Sequence, residues 1–170
     1  MKCLILTGKY AQDIEVFYPL YRLQEEGWEV NIAVDGNEAV PGAYGMTIKP
    51  TCLVSGPEFL NADLLILPGG ARAMEYLRQR SGLLLFIHTF HESGKVIGSI
   101  CHGTQLLISA GLVRGKKVSG YYSIKDDIWN AGGEFVDAPY VTDGHIVSSP
   151  HYKHLGPWMK EVVRVAKSLS

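Results

Sequence analysis

Short apolar runs alternating with helix-period segments predict an α/β protein: a mostly parallel sheet with helices on both faces. Three runs, Lys2–Thr7, Asp63–Leu67 and Lys95–Ile100, are apolar almost throughout, the pattern of strands buried on both sides. Between them, apolar residues recur at spacings of three and four, the pattern of helices that cover a sheet. The length, 170 residues, suggests one domain over 1–170 with enough interior for a core.

Taken in order, Lys2–Thr7 reads as the first strand, stopped by Gly8. Asp13 is placed to cap the helix that follows, where Ile14, Phe17, Leu20, Tyr21 and Leu23 share a face and Gly27 marks the end. Glu29–Val34 is the second strand. Residues 36–58 are rich in glycine and proline among short β-prone pieces, which predicts an irregular excursion or hairpin. Asp63–Leu67 is a strand closed by Pro68-Gly69-Gly70, and helical patterning over 72–93 breaks near Ser81-Gly82. Lys95–Ile100 is a strand that runs directly into a helix over Gly103–Ala110. Ser123–Ala131 is helical, Tyr140–Asp143 and His145–Ser149 form a hairpin through Asp143-Gly144, and Lys153–Lys167 is the last helix.

Composition excludes several classes of function. Hydrophobic residues are 46% and charged residues 19%, ordinary for a soluble globular chain and unlike a disordered one. A formal net charge of −1 gives no electrostatic case for nucleic acid or an anionic membrane. No stretch approaches the roughly 20 apolar residues of a membrane span. The apolar run at the N-terminus stops at Gly8, shorter than a signal peptide needs. Three cysteines, at 3, 52 and 101, form no metal spacing and cannot all pair with one another; the count fits a reducing compartment, and a cytoplasmic location is expected.

Two segments carry unusual chemistry. Val96-Ile97-Gly98-Ser99-Ile100-Cys101-His102-Gly103 puts a cysteine at a strand-to-helix turn with glycines on either side, the logic of a nucleophile elbow. A helix start offers unpaired N–H groups that lower a thiol pKa, so Cys101 is the candidate nucleophile. The bland alternative is a buried core cysteine, the reading retained for Cys3 and Cys52. His102 adjoins Cys101 as a candidate base or orienting group, with Glu75 as the acid that would hold its ring; otherwise Glu75 is a solvated helix residue. The pairs His88 and His91, and His151 and His154, have no nearby carboxylate triad and read as surface residues.

The second segment, Asp13-Ile14-Glu15-Val16-Phe17-Tyr18-Pro19, sets Glu15 among apolar neighbours at a helix start. Pro19 has no N–H for the Glu15 carbonyl. Burial beside a thiolate would raise the Glu15 pKa and let it hold and shuttle a proton. An exposed first-turn glutamate would look much the same in sequence.

Together these segments resemble the ThiJ/PfpI superfamily, in particular its PfpI-type intracellular protease branch. The resemblance spans nearly the whole chain. It rests on Asp13-Ile14-Glu15 with Tyr18-Pro19, on Leu67-Pro68-Gly69-Gly70 followed by Glu75, and on Ser99-Ile100-Cys101-His102-Gly103. Gly132 after Ile124-Lys125-Asp126-Asp127, Val141-Thr142-Asp143-Gly144 and Ser148-Ser149 add to it. The resemblance implies a flavodoxin-like three-layer α/β sandwich, similar to class I glutamine amidotransferases. It implies Cys101 as nucleophile, Glu15 as its hydrogen-bonded acid, and N–H groups around Gly69, Gly70 and His102 as an oxyanion and substrate site with Tyr121 beside it. It further implies a homo-oligomer, dimer or hexamer, in which the equivalent of Glu75 reaches His102 across a subunit interface. Two positions depart from the family pattern: Glu75 stands one residue further from the glycine pair, and Thr104 replaces a proline.

The function so implied is a cysteine enzyme acting on small reactive carbonyls, a glutathione-independent glyoxalase III or deglycase that turns methylglyoxal into lactate. No metal or organic cofactor is required, since thiol and carboxyl supply covalent and acid–base catalysis. One alternative is an intracellular cysteine peptidase using Cys101, His102 and Glu75, with a peptide rather than an aldehyde as substrate. Another is a non-enzymatic stress chaperone or an oxidation sensor acting through Cys101.

Overall fold

The computed structural model describes residues 1–169. The predicted parallel sheet is present, and its order explains where the chemistry collects. Among the described residues its six strands are β1 (Lys2–Thr7), β2 (Glu29–Val34), β5 (Leu64–Leu67), β6 (Val96–Ile100), β9 (Val141–Asp143) and β10 (Ile146–Ser149), in the order β2-β1-β5-β6-β10-β9. All neighbours pair in parallel except β9 with β10, the hairpin foreseen through Asp143-Gly144. The first five strands in that order follow the flavodoxin-like sequence. The chain runs outward from β1 to β2, then crosses back past β1 to β5, so a crevice opens between the carboxyl ends of β1 and β5.

Right-handed crossovers in opposite directions put helices on both faces. On one face, α1 (Asp13–Glu25) and α7 (Leu155–Ser168) pack together. The fully buried Trp158 of α7 donates its indole N–H to the Val147 carbonyl at 3.1 Å. A Cβ on Gly98 would lie 3.1 Å from Val162 and 3.3 Å from Trp158, so this glycine makes room for α7. That corrects the sequence reading, in which Gly98 eased the turn at Cys101. On the other face lie α2 (Pro57–Leu60), α4 (Ser81–Glu92) and α5 (Thr104–Ser109); Phe59 of α2 packs tilted against Phe86 of α4 at 4.0 Å between ring centres. The helical stretch over 72–93 is two helices, α3 (Ala71–Leu77) and α4, divided just before Ser81.

Some elements differ from expectation. Asp13 is the first residue of α1, not its cap; Gln12 occupies the cap position with no side-chain bond. The excursion over 36–58 contains a small hairpin, β3 (Val40–Pro41) with β4 (Thr47–Ile48), and ends in α2. Two regions without a predicted element, on either side of α6 (Lys125–Asn130), supply β7 (Lys117–Val118) and β8 (Glu134–Phe135), which pair in parallel. Two-residue strands are too short for alternation to reveal them. Among the described residues, no helix is long and apolar enough to cross a membrane.

Candidate active site

The site forms where three loops meet: β1 to α1, β5 to α3, and β6 to α5. Cys101 follows β6 at once and opens a single 3-10 turn, Cys101–Gly103, before α5. Its φ of 57° is left-handed, a conformation that costs a cysteine energy and marks the strained elbow expected from sequence. Gly103 allows the turn to sit against β5. A Cβ there would fall 2.2 Å from the Leu67 carbonyl oxygen.

Glu15 lies on the first turn of α1 and is 0% exposed. Its Oε2 accepts the Gly69 N–H at 2.7 Å. Oε1 is buried without a hydrogen-bond partner, and the carboxyl as a whole interacts with the Cys101 thiol. Gly69 shows how tightly these parts converge. A Cβ on it would lie 2.7 Å from Glu15 Oε2, 2.9 Å from Cys101 Cβ and 2.9 Å from the His102 nitrogen. Any side chain at 69 would occupy the space in which acid, nucleophile and N–H donor meet.

Burial pushes the Glu15 pKa up to about 8, against the opposing hydrogen bonds from Gly69 and Cys101. The carboxyl therefore holds its proton near neutrality, as the sequence reading required. For Cys101 the direction differs from the expectation of a lowered pKa. Burial raises it, and the charge of an ionised Glu15 raises it further, while hydrogen bonds from the N–H groups of His102 and Gly70 pull it down. The helix-start effect is weak here because a 3-10 turn separates the sulfur from a helix of only six residues. Cys101 and Glu15 thus titrate as a pair. When Glu15 is protonated its charge no longer pushes the thiol up; burial still does, and the two N–H donors oppose it.

His102 Nδ1 stands 3.3 Å from Cys101 Sγ, and Nε2 lies 3.4 Å from the Ser123 hydroxyl. Burial lowers its pKa and so favours the neutral ring. Tyr121 stacks on it at 4.5 Å, and the Tyr121 N–H donates to the Cys101 carbonyl at 3.1 Å. Glu75 is exposed on α3 and borders a shallow cavity of about 310 Å³ that His102 also lines, but within the chain no hydrogen bond joins the two. The structure brings together Cys101, Glu15, His102, Gly69, Gly70 and Tyr121; Glu75 stands apart. Cys3, in mid-strand, is buried with its pKa pushed up to about 12, and Cys52 is buried beside β2, so both match the inert reading.

The sulfur opens onto a cleft of about 480 Å³. Three of its walls escaped sequence reasoning. His151 is half-buried in the cleft and stacks with Tyr121 at 6.0 Å, which corrects its assignment to the surface. Arg72 stands at the rim, its guanidinium 3.7 Å above the Tyr10 ring. Tyr44 comes from the β3–β4 hairpin, held by Asp13, whose carboxylate accepts the N–H groups of Tyr44 and Met46 at 2.7 and 2.9 Å. The placement of Asp13 two residues before Glu15 was the one available signal for this clip.

Comparison with known proteins places these features in context. Residues 1–165 match the description of the DJ-1/PfpI family. The chain is 41% identical over 170 residues to the protein named Deglycase PfpI from Pyrococcus furiosus, covering 98% of this chain and 100% of that one. It is 40% identical over 167 residues to Deglycase TK1284 from Thermococcus kodakarensis, with the same coverage. Its fold superposes on a crystal structure of a two-domain protein from Anabaena variabilis containing DJ-1/ThiJ/PfpI-like and ferritin-like domains. There the TM-score is 0.90 at 27% identity, covering 95% of this chain and 47% of that one.

Proposed function

From the premise that the chain belongs to the DJ-1/PfpI family, we propose that it is a cysteine enzyme of deglycase type, acting on methylglyoxal and on its early adducts with amines and thiols. The observation that carries this is the convergence of Glu15, Cys101 and the His102 nitrogen on Gly69, with Glu15 holding its proton up to about pH 8. The working form of the pair is a Cys101 thiolate beside a protonated Glu15.

With free methylglyoxal, the thiolate adds to the aldehyde carbon, the carbonyl electrons move to oxygen, and Glu15 supplies the proton that completes the hemithioacetal. With an adduct, the thiolate displaces the amine or thiol from the same carbon, and Glu15 protonates the leaving group. Both routes leave the same hemithioacetal and an ionised Glu15. Glu15 then takes the proton from that carbon and returns it to the neighbouring one, while the hydroxyl proton passes between the two oxygens. The product is a lactoyl thioester, which water cleaves to lactate and the free thiol. No net oxidation occurs. The N–H groups of Gly70 and His102, which favour the sulfur anion at rest, are placed to receive the oxyanion in turn.

Turnover of methylglyoxal and of its hemithioacetals tests this directly. Cys101→Ser and Glu15→Gln should each lose at least about a hundredfold in kcat, the scale of a missing nucleophile or general acid. Turnover by Cys101→Ser at the parent rate would end the proposal.

The 3.3 Å approach of His102 to Cys101 favours a second reading, peptide hydrolysis by a thiol–imidazole pair. That reaction needs an acid on His102, the part assigned to Glu75, and makes little use of Glu15. Peptidase activity abolished by Glu75→Gln but kept by Glu15→Gln supports it, and peptidase activity lost on Glu15→Gln alone counts against it. Methylglyoxal turnover lost on Glu15→Gln but kept by Glu75→Gln supports carbonyl chemistry.

A further inference from the structure

The cleft over Cys101 has an unbalanced charge. Among the described residues that line it, Arg72 is the one side chain with a permanent charge, and no carboxylate stands on its walls. Burial lowers the pKa of both His102 and His151, with Lys153 and His154 adding to the effect on His151. Arg22, Arg80 and Arg164 each carry a carboxylate partner, at 2.6, 3.0 and 2.7 Å respectively. Among the described residues Arg72, like Arg78 and Arg114, has no carboxylate partner; Arg78 donates to the Ser109 hydroxyl instead. The Arg72 guanidinium carbon sits 3.7 Å from the centre of the Tyr10 ring, and among the described residues no hydrogen bond takes up its N–H groups.

The platform beneath it is fixed. Tyr10 has a left-handed φ of 65°, and its N–H donates to the Pro41 carbonyl at 2.7 Å. Its ring leans on Tyr76, over which Lys9 places a second cation, 3.9 Å from the ring centre. Two cations therefore sit on one aromatic pair, of which Tyr10 and Arg72 line the cleft. A guanidinium held in this way presents a planar fork that matches a carboxylate.

We propose that Arg72 binds a carboxylate of the substrate, so that the site favours carbonyl adducts carried by free amino acids or other small carboxylates over the same adducts within a polypeptide. The proposal rests on the carbonyl reading above and narrows it to a substrate class. A free amino acid carries its carboxylate two bonds from the modified amine. A residue inside a protein has an amide at that position and offers Arg72 no charge.

The test compares two methylglyoxal hemithioacetals, that of N-acetylcysteine and that of N-acetylcysteine amide, which differ only in the carboxylate. The parent should prefer the carboxylate adduct by about tenfold in kcat/KM, the scale of one charge-assisted contact. In Arg72→Ala that ratio should fall to near one, with the loss in KM rather than kcat, and Arg72→Lys should restore part of it. In the parent, raising salt should shrink the ratio, since the rim is exposed and screened; this readout stands even where Arg72→Ala folds poorly. A parent ratio near one, a ratio insensitive to salt, or a ratio kept by Arg72→Ala overturns the assignment. Failure of the parent to turn over either adduct instead overturns the carbonyl reading itself.

Discussion

At the scale of single residues, Glu15 dominates because its proton is set by burial rather than by a neighbour. Its folded pKa is pushed up to about 8 from an ordinary 4.5. Between these values the unfolded chain has released the proton that the folded chain still holds. Stability is therefore fully present below 4.5 and declines as pH rises toward 8, by at most about 1.4 kcal/mol per pH unit. Glu15→Gln removes this slope. Denaturant unfolding of both proteins across that window should show the variant gaining on the parent as pH rises; parallel profiles would mean that Glu15 is ionised in the folded state. Cys101 and Glu15 were legible from local sequence together with the family resemblance. Arg72 and His151 were not, because Arg72 on the first turn of α3 and His151 in the loop after β10 come to the cleft only once distant segments have folded together.

At the scale of elements, the β3–β4 hairpin becomes a wall of the site through one side chain. Asp13 is 5% exposed and holds the N–H groups of Tyr44 and Met46, while Gly42 packs so close that a Cβ there would meet Asp13 Oδ1 at 2.2 Å. Asp13→Ala would strand two donors and should cost roughly 1–3 kcal/mol. Amide exchange at Tyr44 and Met46 should quicken relative to the sheet, and KM should rise with kcat less affected. Unchanged exchange at those two amides would show that the hairpin stands without the clip. A second linkage lies under the nucleophile. The Thr104 hydroxyl donates to the Ser119 carbonyl at 2.9 Å and meets the Ser99 hydroxyl at 3.0 Å. The residue that departs from the family's proline thus ties β6 to the segment carrying Tyr121. Thr104→Val should loosen that segment and cost about 1 kcal/mol, read as a lower urea midpoint with an unchanged m-value.

At the scale of the whole molecule, the reversal of strand order between β1 and β5 opens the crevice, and the core holds its walls in place. Trp158, 0% exposed, wedges α7 against β6 behind Gly98, three residues before the nucleophile. Trp158→Ala should cost roughly 3–5 kcal/mol, as large core truncations do, and should lower the denaturation midpoint well before it touches the chemistry of the refolded site. The sequence by itself determined the parallel architecture and the elbow at Cys101, because apolar periodicity and a strand end running straight into a helix are local signals, whereas Glu15 needed the family resemblance to single it out. Only the tertiary structure decided that Gly98 serves α7, that Asp13 holds a hairpin, that Glu75 stands off His102 within the chain, and that Arg72 overlooks the cleft. Each of these depends on how distant segments meet in space, and the burial that raises the pKa values of Glu15 and Cys101 exists only once they have met.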